Sequence, residues 1–132
     1  MPYRVVVDPS TRAVRTVRQD APNLEVRPLT TMRVRLICGD TDPVQGWVSL
    51  EGQDVPAPVA VFRARAALPL RTGYLLVPFG ADRVTAGVTA NVARRGDRWT
   101  IGVELPTGRR DRIGMDWTSA GGPVLEDVRG PS

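Results

Sequence analysis

The chain has 132 residues and a formal net charge of +4, and all 18 of its basic residues are arginine. The absence of lysine and histidine excludes a Schiff-base lysine, a phosphate-loop lysine, a histidine general base and histidine metal ligands. The single cysteine, Cys38, excludes an internal disulfide, and no apolar run approaches the roughly 20 residues of a membrane helix. We therefore expect no catalytic residue, no cofactor, no metal site and no membrane contact.

The composition favours short strands joined by turns. The chain contains 19 valines, 13 glycines and 12 prolines, while runs of helix-favouring residues are scarce. Turn signals recur at regular spacing, so we expect an all-β, single-domain antiparallel β-sandwich or small barrel of about eight strands. Arginine in place of lysine is also typical of a GC-rich coding sequence.

The N-terminal segment has the pattern of a hairpin. Tyr3–Val7 and Ala13–Arg18 flank Asp8-Pro9-Ser10-Thr11, which favours a turn. We expect the hairpin to form either an edge ribbon or an arm over residues 1–18 that reaches beyond the core. A short strand, Leu24–Arg27, follows.

The middle of the chain predicts further strands. Met32–Cys38 alternates strongly and places Cys38 on the apolar face, as a buried and inert thiol. Asp40-Thr41-Asp42 resembles a fragment of a calcium loop, but turn chemistry fits better because Pro43 and Val44 follow. Two more strands are predicted over Trp47–Leu50 and Tyr74–Val77. Residues 59–68 fit a strand or a short helix, and we favour the strand.

Residues 84–117 predict a three-stranded meander, with strands over Val84–Val92, Trp99–Leu105 and Ile113–Trp117. Alternate residues define its core face. These core positions are Val84, Ala86, Val88, Ala90, Val92, Trp99, Ile101, Val103, Leu105, Ile113, Met115 and Trp117.

The opposite face of the meander is poor in charge and bulk. If Val92 pairs near Trp99 and Leu105 near Ile113, three glycines of this face lie close together, namely Gly87, Gly102 and Gly114. Glycine inside a strand often marks a bulge or the close approach of another backbone. The face is therefore either covered by another layer or subunit, or exposed and interrupted by bulges.

Two arginine clusters occupy the loops of the meander. The first contains Arg94, Arg95 and Arg98, and the second contains Arg109, Arg110 and Arg112. Consecutive loops of a meander emerge at opposite ends of the sheet, so the clusters form two poles and not one basic groove. This layout favours pairing with carboxylates of a neighbouring subunit, although both loops could simply be solvated.

The C-terminal segment, residues 118–132, is predicted to be an extended tail after a domain over residues 1–117. It carries a small apolar cluster of Val124, Leu125 and Val128, which we expect to contact a partner.

These features favour a non-enzymatic structural or assembly subunit that acts through protein–protein contacts. The most concrete version is a phage virion protein, a component of capsid decoration, tail or baseplate, assembled in a bacterial cytoplasm. An alternative is a basic module that binds nucleic acid or another polyanion, weakly and without sequence preference. A further alternative is a carbohydrate-binding or hydrolytic domain that uses Glu104 and Asp116 as a carboxylate pair.

Overall fold

The computed structural model describes residues 4–81, 87–118 and 124–128, and only the backbone of 125–128. Every regular element in these residues is a β-strand paired antiparallel, which confirms the all-β prediction. The described part of the chain contains no helix long and apolar enough to cross a lipid bilayer. The finer arrangement as a sandwich or small barrel stays a prediction.

The strands are numbered in chain order. They are β1 (Arg4–Val7), β2 (Val14–Val17), β3 (Asn23–Pro28), β4 (Arg33–Ile37), β5 (Asp40–Thr41), β6 (Val44–Gln45), β7 (Trp47–Leu50), β8 (Gln53–Pro56), β9 (Val59–Arg63), β10 (Tyr74–Phe79), β11 (Thr89–Arg95), β12 (Arg98–Glu104), β13 (Arg110–Asp116) and β14 (Val124–Val128).

The chain divides into two compact units, unit 1 over Met1–Thr85 and unit 2 over Ala86–Ser132. This division differs from the predicted one, in which residues 1–117 form one domain.

Unit 1 contains a four-stranded sheet of order β1-β2-β3-β10. The N-terminal hairpin is present as β1 and β2. Glu25 of β3 is only 2% exposed, and its carboxylate forms ion pairs with Arg27 and Arg15. Burial of an unpaired carboxylate destabilises a fold, so the ion pairs with these two arginines offset the free-energy cost of burying Glu25.

The hairpin of β4 and β9 packs against this sheet through Phe62, whose ring lies edge-on to Tyr74 with centroids 5.2 Å apart. The strand interpretation of residues 59–68 therefore holds for Val59–Arg63. Two small ribbons, β5–β6 and β7–β8, are inserted between β4 and β9.

The ribbons join the hairpin at Gly46. Its carbonyl oxygen accepts hydrogen bonds from the backbone amides of Gly39 (2.9 Å) and Ala57 (2.7 Å), which holds the bases of both ribbons together.

Cys38 is exposed, so the prediction of a buried thiol is wrong. The strand β4 ends at Ile37, which is 5% exposed, and the chain then turns at Gly39 with φ of 69°. The alternation of faces inside β4 therefore does not extend to Cys38.

Unit 2 contains a sheet of order β11-β12-β13-β14. Four of the predicted core positions are buried, since Val88, Trp99, Ile101 and Val103 are all at most 9% exposed. The other core positions that the structure describes are half-buried, namely Ala90, Val92, Leu105, Ile113, Met115 and Trp117. The first strand begins later than predicted, at Thr89, and the predicted core positions Val84 and Ala86 lie outside the described residues.

The fourth strand of this sheet was not predicted from the sequence. Residues 124–128, predicted as part of an extended tail, form β14 and pair with β13. The backbone of this segment is therefore bonded to the chain's own sheet.

Candidate functional site

The outer face of the unit 2 sheet brings together two of the three predicted glycines. Val92 pairs with Ile101 and not with Trp99. Ile113 also pairs with Ile101 and not with Leu105, so both pairings differ from the predicted ones. Gly102 lies opposite Arg112, and Gly114 lies opposite Thr100, which makes the two glycines diagonal neighbours. Gly87 precedes β11 and lies against Pro106, beyond the strand ends, so it is not part of the ladder.

A side chain of the same sheet covers Gly102. A Cβ atom at this position would collide with the amide oxygen of Asn91, the residue directly across the ladder. The absence of a side chain at Gly102 thus has a reason within the sheet, and it is not by itself a sign of a second layer.

The first arginine cluster is divided between the two faces of the sheet. The guanidinium of Arg94 lies 4.6 Å from the ring centroid of Trp99, which places it on the core side. Arg95 and Arg98 face each other across the two-residue turn Gly96-Asp97. The three side chains therefore do not form one surface.

The second cluster is largely neutralised within the chain. The Nε of Arg109 lies 2.9 Å from a carboxylate oxygen of Asp111, and the Nε of Arg110 lies 3.1 Å from one of Glu104. Arg112 lies on the outer face, opposite Gly102 on one side and Val128 on the other. Pairing of these arginines with a neighbouring subunit would have to displace internal partners.

The apolar cluster of the tail is only partly described. Val124 is 49% exposed and pairs with Asp116, and Leu125 pairs with Met115. Contact of Val124, Leu125 and Val128 with a partner stays a prediction.

Glu104 and Asp116 lie too far apart to act as a carboxylate pair. Glu104 is opposite Arg110, whereas Asp116 is opposite Arg98, six residues away along β12. At about 3.3 Å per residue the separation is about 20 Å, beyond the ~5–9.5 Å of glycosidase pairs.

Unit 1 contains four arginines that lie together and have no ion-pair partner among the described residues. A solvent-open cleft of about 670 Å³ is lined by Thr31, Met32, Ala64 and four arginines, which are Arg12, Arg33, Arg63 and Arg65. We refer to it as the arginine cleft. No carboxylate is among the described residues that line it.

The turn of the first hairpin positions Arg12. The carboxylate of Asp8 accepts hydrogen bonds from the hydroxyl and amide of Ser10 and from the amide of Thr11. These bonds, the Ser10 hydroxyl foremost, lower the pKa of Asp8 to about 2. The backbone amide of Arg12 bonds to the carbonyl of Asp8, and Arg12 has φ of 60°, an uncommon conformation for a side-chain-bearing residue.

The β4–β9 hairpin supplies the centre of the cleft. Arg33 and Arg63 are directly opposite each other in the ladder, an arrangement of like charges that destabilises a strand pair. Arg65 follows two residues later. Arg35, two residues after Arg33 in β4, does form an ion pair, since its guanidinium lies 3.7 Å from the carboxylate of Asp40.

None of the four cleft arginines forms an ion pair with a described residue. In the same part of the chain, six other arginines do form such pairs, namely Arg15, Arg18, Arg27, Arg35, Arg109 and Arg110. The cleft therefore concentrates positive charge that the described part of the fold does not neutralise, and it can accept an anionic group.

This cleft could not be predicted from the sequence, because its arginines come from three separate segments of the chain. One signal was available: Arg33, Arg35, Arg63 and Arg65 bracket the longest run without arginine in the sequence.

Among the described residues, no group of three histidine, cysteine, aspartate or glutamate side chains could hold a metal ion. Comparison with known proteins finds no matching family model, no similar curated protein and no similar solved structure.

Proposed function

We propose that this chain is a non-enzymatic assembly subunit whose arginine cleft binds carboxylate groups of a protein partner. The observation that carries the proposal is the set of four arginines around one cleft with no ion-pair partner among the described residues. An arginine fork matches the geometry of a carboxylate and forms charge-assisted hydrogen bonds with it.

The shape and lining of the cleft favour a compact protein ligand over nucleic acid. Arg33 and Arg63 are adjacent, so the charge is gathered at one point and not drawn out as a stripe along a backbone. The described lining contains no aromatic residue on which an exposed base could stack. Nucleic acid is therefore the second candidate ligand, after a protein.

The setting proposed for such a subunit is a phage virion, as a component of capsid decoration, tail or baseplate. Arginine in place of lysine, which is typical of a GC-rich coding sequence, supports this setting together with the short-stranded all-β architecture. A β-sandwich or small barrel is the fold proposed for it.

Binding to two labelled polyanions tests the proposal. Fluorescence anisotropy would compare a short oligoglutamate with an oligothymidylate of equal charge, for the parent chain, Arg33→Gln/Arg63→Gln and Arg109→Gln. Arg109 is the matched control because it is exposed and basic but already paired with Asp111. We expect oligoglutamate to bind the parent and Arg109→Gln alike, and the double variant at least about tenfold more weakly, a loss of about 1.4 kcal/mol.

The double variant also relieves the repulsion between two facing arginines, so its free energy of unfolding should not fall. Equal affinity of the double variant and the parent for oligoglutamate would contradict the proposal. Binding of oligothymidylate alone, lost in the double variant, would assign the cleft to nucleic acid.

A further inference from the structure

The two ribbons inserted between β4 and β9 form an acidic segment in a basic chain. Residues 38–58 contain four carboxylates and no basic residue, although the chain as a whole contains 18 arginines and 14 acidic residues. The four carboxylates are those of Asp40, Asp42, Glu51 and Asp54. We refer to β5–β6 and β7–β8 as the acidic ribbons.

Three of these carboxylates are exposed near the turns of the ribbons. Asp42 lies in the turn between β5 and β6, Glu51 lies in the turn between β7 and β8, and Asp54 lies opposite Ser49 in β7–β8. None of the three forms an ion pair with a described residue, whereas Asp40 pairs with Arg35. The ribbons therefore present negative charge that the described part of the fold does not neutralise.

The acidic ribbons and the arginine cleft belong to opposite ends of the β4–β9 hairpin. Arg33 pairs with Arg63 at the end that lines the cleft, and Ile37 pairs with Val59 at the end where the ribbons begin. Four residues of strand separate these ends, about 13 Å at 3.3 Å per residue. No ribbon residue is among the described residues that line the cleft.

Exposed apolar side chains accompany the carboxylates on the ribbons. Val44, two residues after Asp42, is 75% exposed, and Leu50, next to Glu51, is 48% exposed. Exposed apolar groups rimmed by charge are typical of protein contact surfaces. Their burial would add an attraction that does not depend on salt.

We infer that the acidic ribbons of one copy of this chain bind in the arginine cleft of a second copy. The inference rests on the proposed function and names the partner as the chain itself. The complementarity is close in number, since the ribbons offer three carboxylates and the cleft four arginines that form no ion pair with a described residue. The contact joins two different surfaces, and every copy carries both, so copies associate in a reciprocal pair, a ring or a filament.

Charge reversal on each surface tests this contact. The cleft variant carries Arg33→Glu and Arg63→Glu, and the ribbon variant carries Glu51→Arg and Asp54→Arg. Molar mass would be measured by light scattering across protein and salt concentrations for the parent, each variant, their equimolar mixture and an Arg109→Glu control. We expect the parent and the control to exceed the monomer mass at low salt and to dissociate as salt is added.

Each reversed variant alone should be a monomer, because the cleft of the first has lost its net positive charge and the ribbons of the second have lost their net negative charge. The mixture should assemble again, since the acidic ribbons of the cleft variant meet the intact arginines of the ribbon variant. Restored assembly also shows that both variants are folded. A parent that stays monomeric, or reversed variants that assemble alone as the parent does, would overturn the inference.

The oligoglutamate measurement separates this inference from the proposed function. A monomeric parent that still binds oligoglutamate in the cleft contradicts the self-contact and leaves another acidic protein as the partner. A monomeric parent that binds no oligoglutamate contradicts both.

Discussion

Gly46 occupies a position where no side chain fits. Its φ is 75°, and a Cβ atom would lie 2.9 Å from the Cα of Cys38, the amide nitrogen of Gly39 and the carbonyl oxygen of Ile37. All three are backbone atoms, which cannot turn aside as the end of a side chain can. The junction between the hairpin and the acidic ribbons thus depends on one residue.

Replacement of Gly46 by alanine should therefore destabilise unit 1 strongly. Gly52 is a matched control, because its φ is 78° but nothing lies within 4 Å of a Cβ added there. Both variants carry the cost of a left-handed conformation, about 1–2 kcal/mol. Gly46→Ala should lose a further ~1–3 kcal/mol through steric overlap, measured as the free energy of unfolding in denaturant. Equal losses would mean that the junction is not tight.

Ionisation of Asp8 makes the stability of the turn that carries Arg12 depend on pH. Hydrogen bonds from Ser10 and Thr11 stabilise its ionised form and lower its pKa from the ordinary value of 3.8 to about 2. The unfolded chain binds this proton more readily than the folded one. Ionised Asp8 therefore stabilises the folded chain fully above pH 3.8, the ordinary pKa. This stabilisation is lost as the pH falls from 3.8 to about 2.

The difference in free energy of unfolding between the parent and Asp8→Ala should shrink across that interval. Ser10→Ala removes the largest cause of the shift and should raise the pKa of Asp8 toward its ordinary value. Thermal unfolding at a series of pH values measures both effects. A parent–variant difference that stays constant down to pH of about 2 would exclude Asp8 as the titrating group.

Among single elements, Asn91 of β11 lies across the ladder from Gly102 of β12. The amide of Asn91 occupies the space that a Cβ at Gly102 would take. Because this amide is the end of an exposed side chain and can turn aside, Gly102→Ala should change the free energy of unfolding by less than about 1 kcal/mol, in contrast to Gly46→Ala.

The double variant Asn91→Ala/Gly102→Ala removes the amide altogether. Since the amide can turn aside in the single variant, a double-mutant cycle in denaturant should give a coupling energy below about 0.5 kcal/mol. A larger coupling energy would indicate that the amide of Asn91 is held in place against Gly102.

The faces of the meander could be predicted from the sequence, but its register could not. The observed pairing of Val92 with Ile101 differs from the assumed pairing with Trp99 by two residues, an even slip that keeps every side chain on its face. Gly96, at φ of 59° in the first position of a two-residue turn, fixes the observed register. The strand β14 was missed because glycine and proline around it indicate a tail.

Across the whole molecule, charge is segregated in a way that the sequence reveals only in part. The arginine-free run between Arg35 and Arg63 is visible in the sequence, as is its acidic content. The arginine cleft is not, because Arg12 reaches it through the turn of a distant hairpin. Arg109 and Arg110, which are conspicuous in the sequence, are paired with carboxylates within unit 2.

Side-chain NMR would show at each guanidinium whether the arginine cleft binds carboxylates. The Nε–Hε resonances of the arginines, assigned by single Arg→Lys substitutions, would be followed as oligoglutamate is added to ¹⁵N-labelled Glu51→Gln/Asp54→Gln chain. This background removes two of the unpaired ribbon carboxylates that could compete for the cleft. The account predicts that the resonances of Arg12, Arg33, Arg63 and Arg65 shift together and saturate, while those of Arg109 and Arg110 stay in place. Shifts confined to Arg109 and Arg110, or no shift at any of the six, would contradict it.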